Sequence, residues 1–210
     1  MQGLIGKKIG MTRLFNETGR VVAVTVIQAG NNVVEQIKTV ENDGYSAIQL
    51  GFGEIPERKV RKPQLGHFKK LGTAPMRVLK EFELDSDEDV NLKPGQVLGV
   101  EVFENVRFVN VTGVSKGRGF TGTVKKYNFQ RGRESHGNTC HREPGSTGAG
   151  SYPARVFPGK KMAGQLGAGQ ITKRRLEVVG VDKEAGLVFV KGAVPGCNSG
   201  IVYLKKFIEK

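Results

Sequence analysis

Thirteen Lys and Arg between Ser115 and Arg175 face only Glu134 and Glu143, so 11 of the chain's 13 net positive charges fall within one stretch of 61 residues. The same stretch holds twelve glycines, and from Phe129 to Arg155 no two strongly apolar residues adjoin. A segment of this kind buries too little apolar surface to offset the cost of ordering its backbone, so it cannot make a core of its own. Something outside it must order it. A polymer of phosphates fits that requirement, because each Lys or Arg set against it releases condensed counterions and glycine lets the backbone approach closely.

The rest of the 210 residues looks ordinary. Charged residues make up 25% of the chain, a normal share for soluble proteins, so what stands out is the sign and placement of the charge. Outside 115–175, 20 Lys and Arg stand against 18 acids, a near-neutral balance compatible with a conventional core. The length suits one domain carrying a large insertion. With no leader of the charged-then-apolar kind and no run of roughly 20 apolar residues, the expectation is a cytosolic protein that does not span a membrane. Cys140 and Cys197 are too few for a disulfide framework or a four-cysteine zinc site and are expected to be free thiols.

Short runs rich in Val, Ile and Phe recur between turn residues: 4–15, 21–28, 33–40, 47–52, 97–103, 106–114, 176–181, 187–190 and 201–207. Many short strands jointed by Gly, Asn and Asp predict a mainly β fold, a closed barrel or a sandwich. The barrel domain is expected to comprise 1–114 and 176–210, with 115–175 as a long extended finger that leaves it and comes back. A polar, basic stretch at about 55–75, with Arg58, Lys59, Arg61, Lys62, His67, Lys69 and Lys70, predicts a short helical excursion and a second nucleic-acid contact. A helical turn or two is expected over 121–127. Beyond it, Arg131, Arg133, His136, His141, Arg142, Arg155, Lys160 and Lys161 are spaced among Gly, Ser, Asn and Pro, the pattern of an extended chain threading between phosphates.

Competing motifs fail on context. Gly117, Gly119 and Gly122 match G-x-G-x-x-G after a predicted strand, but a dinucleotide fold needs a second buried strand ending in an acid, and 127–143 is polar throughout. The phosphate-loop form fails because Ala154 stands five residues before Gly159, where glycine is required. Cys140 and His141 are adjacent and point to opposite sides of an extended chain, so with His136 they do not converge on a metal or make a nucleophile–base pair. No metal, cofactor or small-molecule substrate is expected. An enzyme acting on RNA would need a metal-binding carboxylate cluster, and Asp85, Asp87, Glu88 and Asp89 read as a solvated turn beside Lys93-Pro94-Gly95. A free RNA chaperone is the other alternative.

Phe103, Asn110, Gly113, Ser115 and the run 117–126 (GRGFTGTVKK) resemble the signature of the universal large-subunit ribosomal protein three family. Ile5-Gly6-Lys7-Lys8-Ile9-Gly10-Met11-Thr12, Asp43-Gly44-Tyr45, Gly66-His67-Phe68, His141-Arg142-Glu143-Pro144-Gly145-Ser146, Gly159-Lys160-Lys161-Met162-Ala163-Gly164 and Val190-Lys191-Gly192-Ala193-Val194-Pro195-Gly196 are similar to it in the same order, over essentially the whole chain. The resemblance implies a translation-protein-type barrel and a structural, non-catalytic role in the large subunit. It further implies binding to 23S rRNA near its 3′ end, a part in starting subunit assembly, and contacts with large-subunit proteins fourteen and nineteen. The finger would run inward towards the peptidyl transferase centre, with Pro144, Gly145, Ser146, Gly148, Ser151 and Pro153 at its tip. Where bacterial members often carry a methylated glutamine, this chain has Ala149, Gly150 and Ser151. The residues expected to meet rRNA are then Lys7, Lys8, His67, Lys69, Lys116, Arg118, Lys125, Lys126, Lys173 and Arg174, together with the eight basic residues already named between Arg131 and Lys161.

Overall fold

The computed structural model describes residues 3–16, 18–84 and 92–207. Apolar residues at alternate positions form strands wherever one face of a pleat can be buried. In chain order the elements are β1 Gly3–Phe15, β2 Val21–Gln28, β3 Asn32–Lys38, α1 Val40–Asp43, β4 Ala47–Glu54, α2 Lys62–Leu71, β5 Met76–Glu83, β6 Val97–Leu98, β7 Phe108–Val114, β8 Phe120–Thr121, α3 Thr123–Tyr127, β9 Gly164–Gln165, β10 Gln170–Asp182, β11 Leu187–Lys191 and β12 Ile201–Lys206. They belong to two compact units, one made of the described residues up to Val114 and from Gln170 onward, the other of Ser115–Gly169.

Six strands of the first unit close on themselves in the order β1-β12-β7-β10-β11-β2, with every neighbouring pair antiparallel. Closure removes the unpaired edges that make open sheets prone to association. A second, four-stranded antiparallel sheet has the order β5-β4-β3-β6. One core serves both sheets. Val109 and Val111 of β7, Val188 and Val190 of β11, and Val202 and Leu204 of β12 point inward at alternate positions. They meet Leu4, Ile5 and Ile27, and the cluster continues through Val34, Ile48, Leu50, Phe82 and Phe103. Full burial of such a side chain contributes roughly 1.5–3 kcal/mol.

Buried Asn32 ties β1 to β3. Its Oδ1 accepts from the Ile5 amide at 3.0 Å while its Nδ2 donates to the carbonyls of Ile5 at 3.0 Å and Ala29 at 2.8 Å, so the polar group is satisfied inside the core. Where β1 crosses β12 there is no space for a side chain at Gly3, since a Cβ would lie 2.1 Å from the Leu204 carbonyl oxygen. The register of β3 against β4 shifts between Val34 and Gln36, and the residue at the irregularity, Glu35, is fully buried. Burial pushes its pKa up from the ordinary carboxylate value, against a hydrogen bond from the Thr73 hydroxyl and the field of His67. Its Oε1 has no hydrogen-bond partner among the described residues.

The structure departs from the expected strands in several places: the run 33–40 stops at Lys38, with Val40 opening α1, and the short strands β8 and β9 lie in the expected finger. β5 was not anticipated: Met76 and Phe82 are buried, but Leu79 and Lys80 break the alternation between them, and Arg77, Lys80, Glu81 and Glu83 make the stretch polar by composition. The run 97–103 divides at Gly99 into β6 and a 3₁₀ turn over Val100–Phe103, in which Val100 and Phe103, one turn apart, are both buried. β10 begins at Gln170, six residues before the expected Leu176, because 170–173 pair with Val114 to Val111 of β7. A register shift then separates Lys173 from Leu176, and the Asn110 side chain accepts a hydrogen bond from the Arg175 amide there at 2.9 Å. The excursion at 55–75 contains α2, with Pro63 in its first turn and Gly72 closing it in the left-handed conformation. Among the described residues no helix is long and apolar enough to cross a membrane. Asp85, Asp87, Glu88 and Asp89 lie outside the described residues.

Candidate nucleic-acid interface

The unit Ser115–Gly169 is held by backbone pairing at its start and finish and by side-chain hydrogen bonds between. Ser115 N–H donates to Gly169 O at 2.9 Å, Arg118 N–H to Leu166 O at 2.8 Å and Leu166 N–H to Gly119 O at 3.0 Å; β8 then pairs with β9 through Phe120 opposite Gln165 and Thr121 opposite Gly164. Its buried residues are threonines, Thr121 and Thr123, and none of the residues 128–169 is buried. α3 ends where Asn128 takes the left-handed conformation, and no helix or strand follows until β9.

Within that stretch, 131–141 folds back on itself. Gly132 N–H donates to His141 O at 3.1 Å, Asn138 Nδ2 donates to Arg133 O at 2.8 Å, and Cys140 N–H donates to Asn138 Oδ1 at 3.1 Å. The legs come so close that a Cβ on Gly132 would lie 2.2 Å from Cys140 O. His141 Nδ1 is 3.0 Å from Arg133 O, and since a carbonyl can only accept, the proton is on Nδ1. At the expected tip the Ser146 hydroxyl donates to Gly148 O at 3.0 Å and accepts from Gly148 N–H at 3.3 Å, a turn closed by the smallest available side chain. Pro144, Gly145, Ser146, Gly148 and Ser151 are exposed and Pro153 is half-buried.

Charge in this unit is almost uncompensated. Among the described residues Arg131 forms its one ion pair, with Glu134 three positions on. Lys116, Arg118, Lys125, Arg133, Arg142, Arg155, Lys160 and Lys161 are exposed, as are His136 and His141, and Lys126 is half-buried. Tyr127 collects two of these cations, with Lys126 Nζ 5.2 Å and Lys161 Nζ 5.7 Å from its ring centre, and so links α3 to the segment just before β9. Many like charges on one small unit repel each other, and a polyanion that binds between them relieves that repulsion and releases its counterions.

The remaining expected contacts lie on the barrel unit. Lys7, Lys69, Lys173 and Arg174 are exposed. His67 on α2 is half-buried, its Nε2 3.4 Å from Gln49 Oε1 and its ring edge-on to Phe68. Lys8 needs correcting: expected to face RNA like its neighbour Lys7, it is buried, and its ammonium donates to Val194 O at 2.9 Å and Gly196 O at 3.4 Å. Adjacent residues of a strand point to opposite faces, so only one of the pair can reach solvent. The sequence reading also missed a cationic aromatic cluster. The guanidiniums of Arg107 and Arg175 each lie 5.0 Å from the Phe108 ring, Arg175 lies 5.9 Å from Phe207, and the two phenylalanines pack edge-to-face. Phe108 and Phe207 are 99 positions apart, and only the pairing of β7 with β12 brings them together.

Comparison with known proteins agrees with this geometry. The family model described as Ribosomal protein L3 matches residues 53–186. The large ribosomal subunit protein uL3 of Pelobacter propionicus is 51% identical over 208 residues, covering 99% of each chain. That of Alkaliphilus metalliredigens is 47% identical over 210 residues, covering 100% of this chain and 99% of its own, and that of Picosynechococcus is 52% identical over 195 residues, 92% and 91%. With identity this high across nearly the full length, on a closed β-barrel carrying a basic insertion, the chain belongs to the ribosomal protein L3 family.

Proposed function

We propose that the protein is a structural constituent of the large ribosomal subunit, with no catalytic activity, and that it works by binding 23S rRNA. The observation that carries this reading is the unit 115–169, a folded segment with almost no buried side chains and a surplus of exposed cations. Such a unit gains order and loses self-repulsion when phosphates thread between its side chains, and the barrel, which has its own core, supplies the anchor. Exposed Lys7, Lys69, Lys173 and Arg174 add cations on the barrel unit. By its resemblance to the family, the chain binds near the 3′ end of the 23S rRNA, helps to start subunit assembly beside neighbouring large-subunit proteins, and sends the 144–153 loop towards the peptidyl transferase centre. Any effect on peptide-bond formation is exerted by positioning RNA.

The test is to express a tagged copy as the cell's sole source of this protein, wash the ribosomes at high salt, and crosslink protein to RNA. Retention in large subunits, with crosslinks from 115–169 to 23S nucleotides, is the expected result. Release into the free pool by the wash would instead favour a free RNA chaperone.

A further inference from the structure

Phosphate binding accounts for the cations of the inserted unit and leaves its aromatic side chains unexplained. Tyr127 already has its role inside the unit, with two ammonium groups over its ring and Phe129 at 6.3 Å. Two others differ. Tyr152 is 89% exposed and Phe157 is 61% exposed, although they stand in a stretch where no core exists for them to join. Between them Arg155 holds its guanidinium 5.8 Å from the Phe157 ring centre. That cation and that ring are therefore neighbours on an exposed stretch without regular secondary structure.

We propose that Tyr152 and Phe157, with Arg155 between them, form a stacking site for unpaired RNA bases. This rests on the RNA-binding reading above and adds to it a class of nucleotide. An aromatic face is matched by a nucleobase, every one of which has a π-face, while the adjacent guanidinium meets the phosphate of the same nucleotide. Bases inside an A-form duplex already have both faces stacked, so the ligand is a base displaced from pairing, in a loop, a bulge or a junction. Phosphate neutralisation alone would be served equally well by aliphatic or polar residues at these two positions.

Salt dependence separates the two kinds of contact. The full chain is titrated with two fluorescent RNAs of equal nucleotide number, a hairpin with a large unpaired loop and a blunt duplex, at several salt concentrations. Phe157→Ala is expected to weaken binding to the hairpin about tenfold at every salt concentration with an unchanged slope of log affinity on log salt, and to leave the duplex unaffected. Phe157→Leu, apolar but without a π-face, should lose as much as alanine, and Phe157→Trp should bind at least as well as the parent. Tyr152→Ala should repeat the pattern. Equal binding by Phe157→Leu and the parent, or equal losses on both RNAs, would overturn the stacking site while leaving RNA binding intact. Failure of the parent chain to bind either RNA in a salt-dependent way would remove the RNA-binding reading itself.

Discussion

The barrel and the inserted unit are stabilised by opposite means. In the barrel, apolar side chains from six strands and a second sheet meet in one cluster, and buried Asn32 and Lys8 are hydrogen-bonded within it, whereas Glu35 Oε1 has no partner among the described residues. In the inserted unit the buried side chains are two threonines, and the backbone is held by turns and a short ladder while the cations face solvent. The difference teaches where each half's free energy comes from. The first draws on apolar surface buried within itself, and the second leaves its cations exposed to solvent.

The contrast breaks first, if it breaks, on core substitutions. Phe103→Ala removes a fully buried ring from the cluster shared by both sheets and is expected to cost about 3–5 kcal/mol in denaturant unfolding. A loss below about 1 kcal/mol would mean the barrel is not held by this core. Asn32→Ala leaves the Ile5 amide and two carbonyls without their partner and should cost about 2–3 kcal/mol in the same assay. By the same logic limited proteolysis of the RNA-free protein should cut within 130–155 before any barrel strand, and bound rRNA should suppress that cut. Early cleavage in the barrel would reverse the assignment.

Glu35 sharpens the comparison from inside the folded half. Burial raises its folded-state pKa above the unfolded value near 4.5, so its favourable contribution is fully present below the unfolded pKa and is lost as pH rises through the folded one. The stability of the parent relative to Glu35→Gln should therefore increase as pH is lowered from neutral towards 4.5 in paired unfolding curves. A pH-independent difference would place the carboxyl in contact with water. Smallest in stability terms are changes in the insertion. Arg142→Ala should leave unfolding unchanged while reducing the salt slope of rRNA affinity by about one unit, one phosphate contact out of several. Gly150→Val, whose added Cβ meets nothing within 4 Å, should also leave barrel stability unchanged and disturb only subunit assembly or the response to drugs of the peptidyl transferase centre. A barrel destabilised by either substitution would show the two units to be energetically coupled.

Much of this was legible in the sequence because it depends on local composition. A run of Lys, Arg and Gly with no adjoining apolar residues cannot build a core in any context, and strands such as 187–191 announce themselves by an unbroken apolar run rich in β-branched and aromatic residues, Leu187 to Val190. α2 lies within the predicted helical excursion because Pro63 and Gly72 mark its ends. β5 escaped notice because burial of only Met76 and Phe82 decides its face, and that burial depends on pairing with β4.

Composition and pattern alone determined that the protein is mainly β and that its positive charge sits in one insertion with too little apolar surface for a core, because these follow from residue content whatever the fold. Tertiary structure decided which side of each strand faces water. It turned Lys8 inward to two carbonyls while Lys7 stayed exposed, and it buried Glu35 at a register irregularity. It also gathered Arg107, Phe108, Arg175 and Phe207 into one cluster. Each of these depends on contacts between residues distant in the chain, and register and barrel closure are properties of several strands together, which no local stretch of sequence contains.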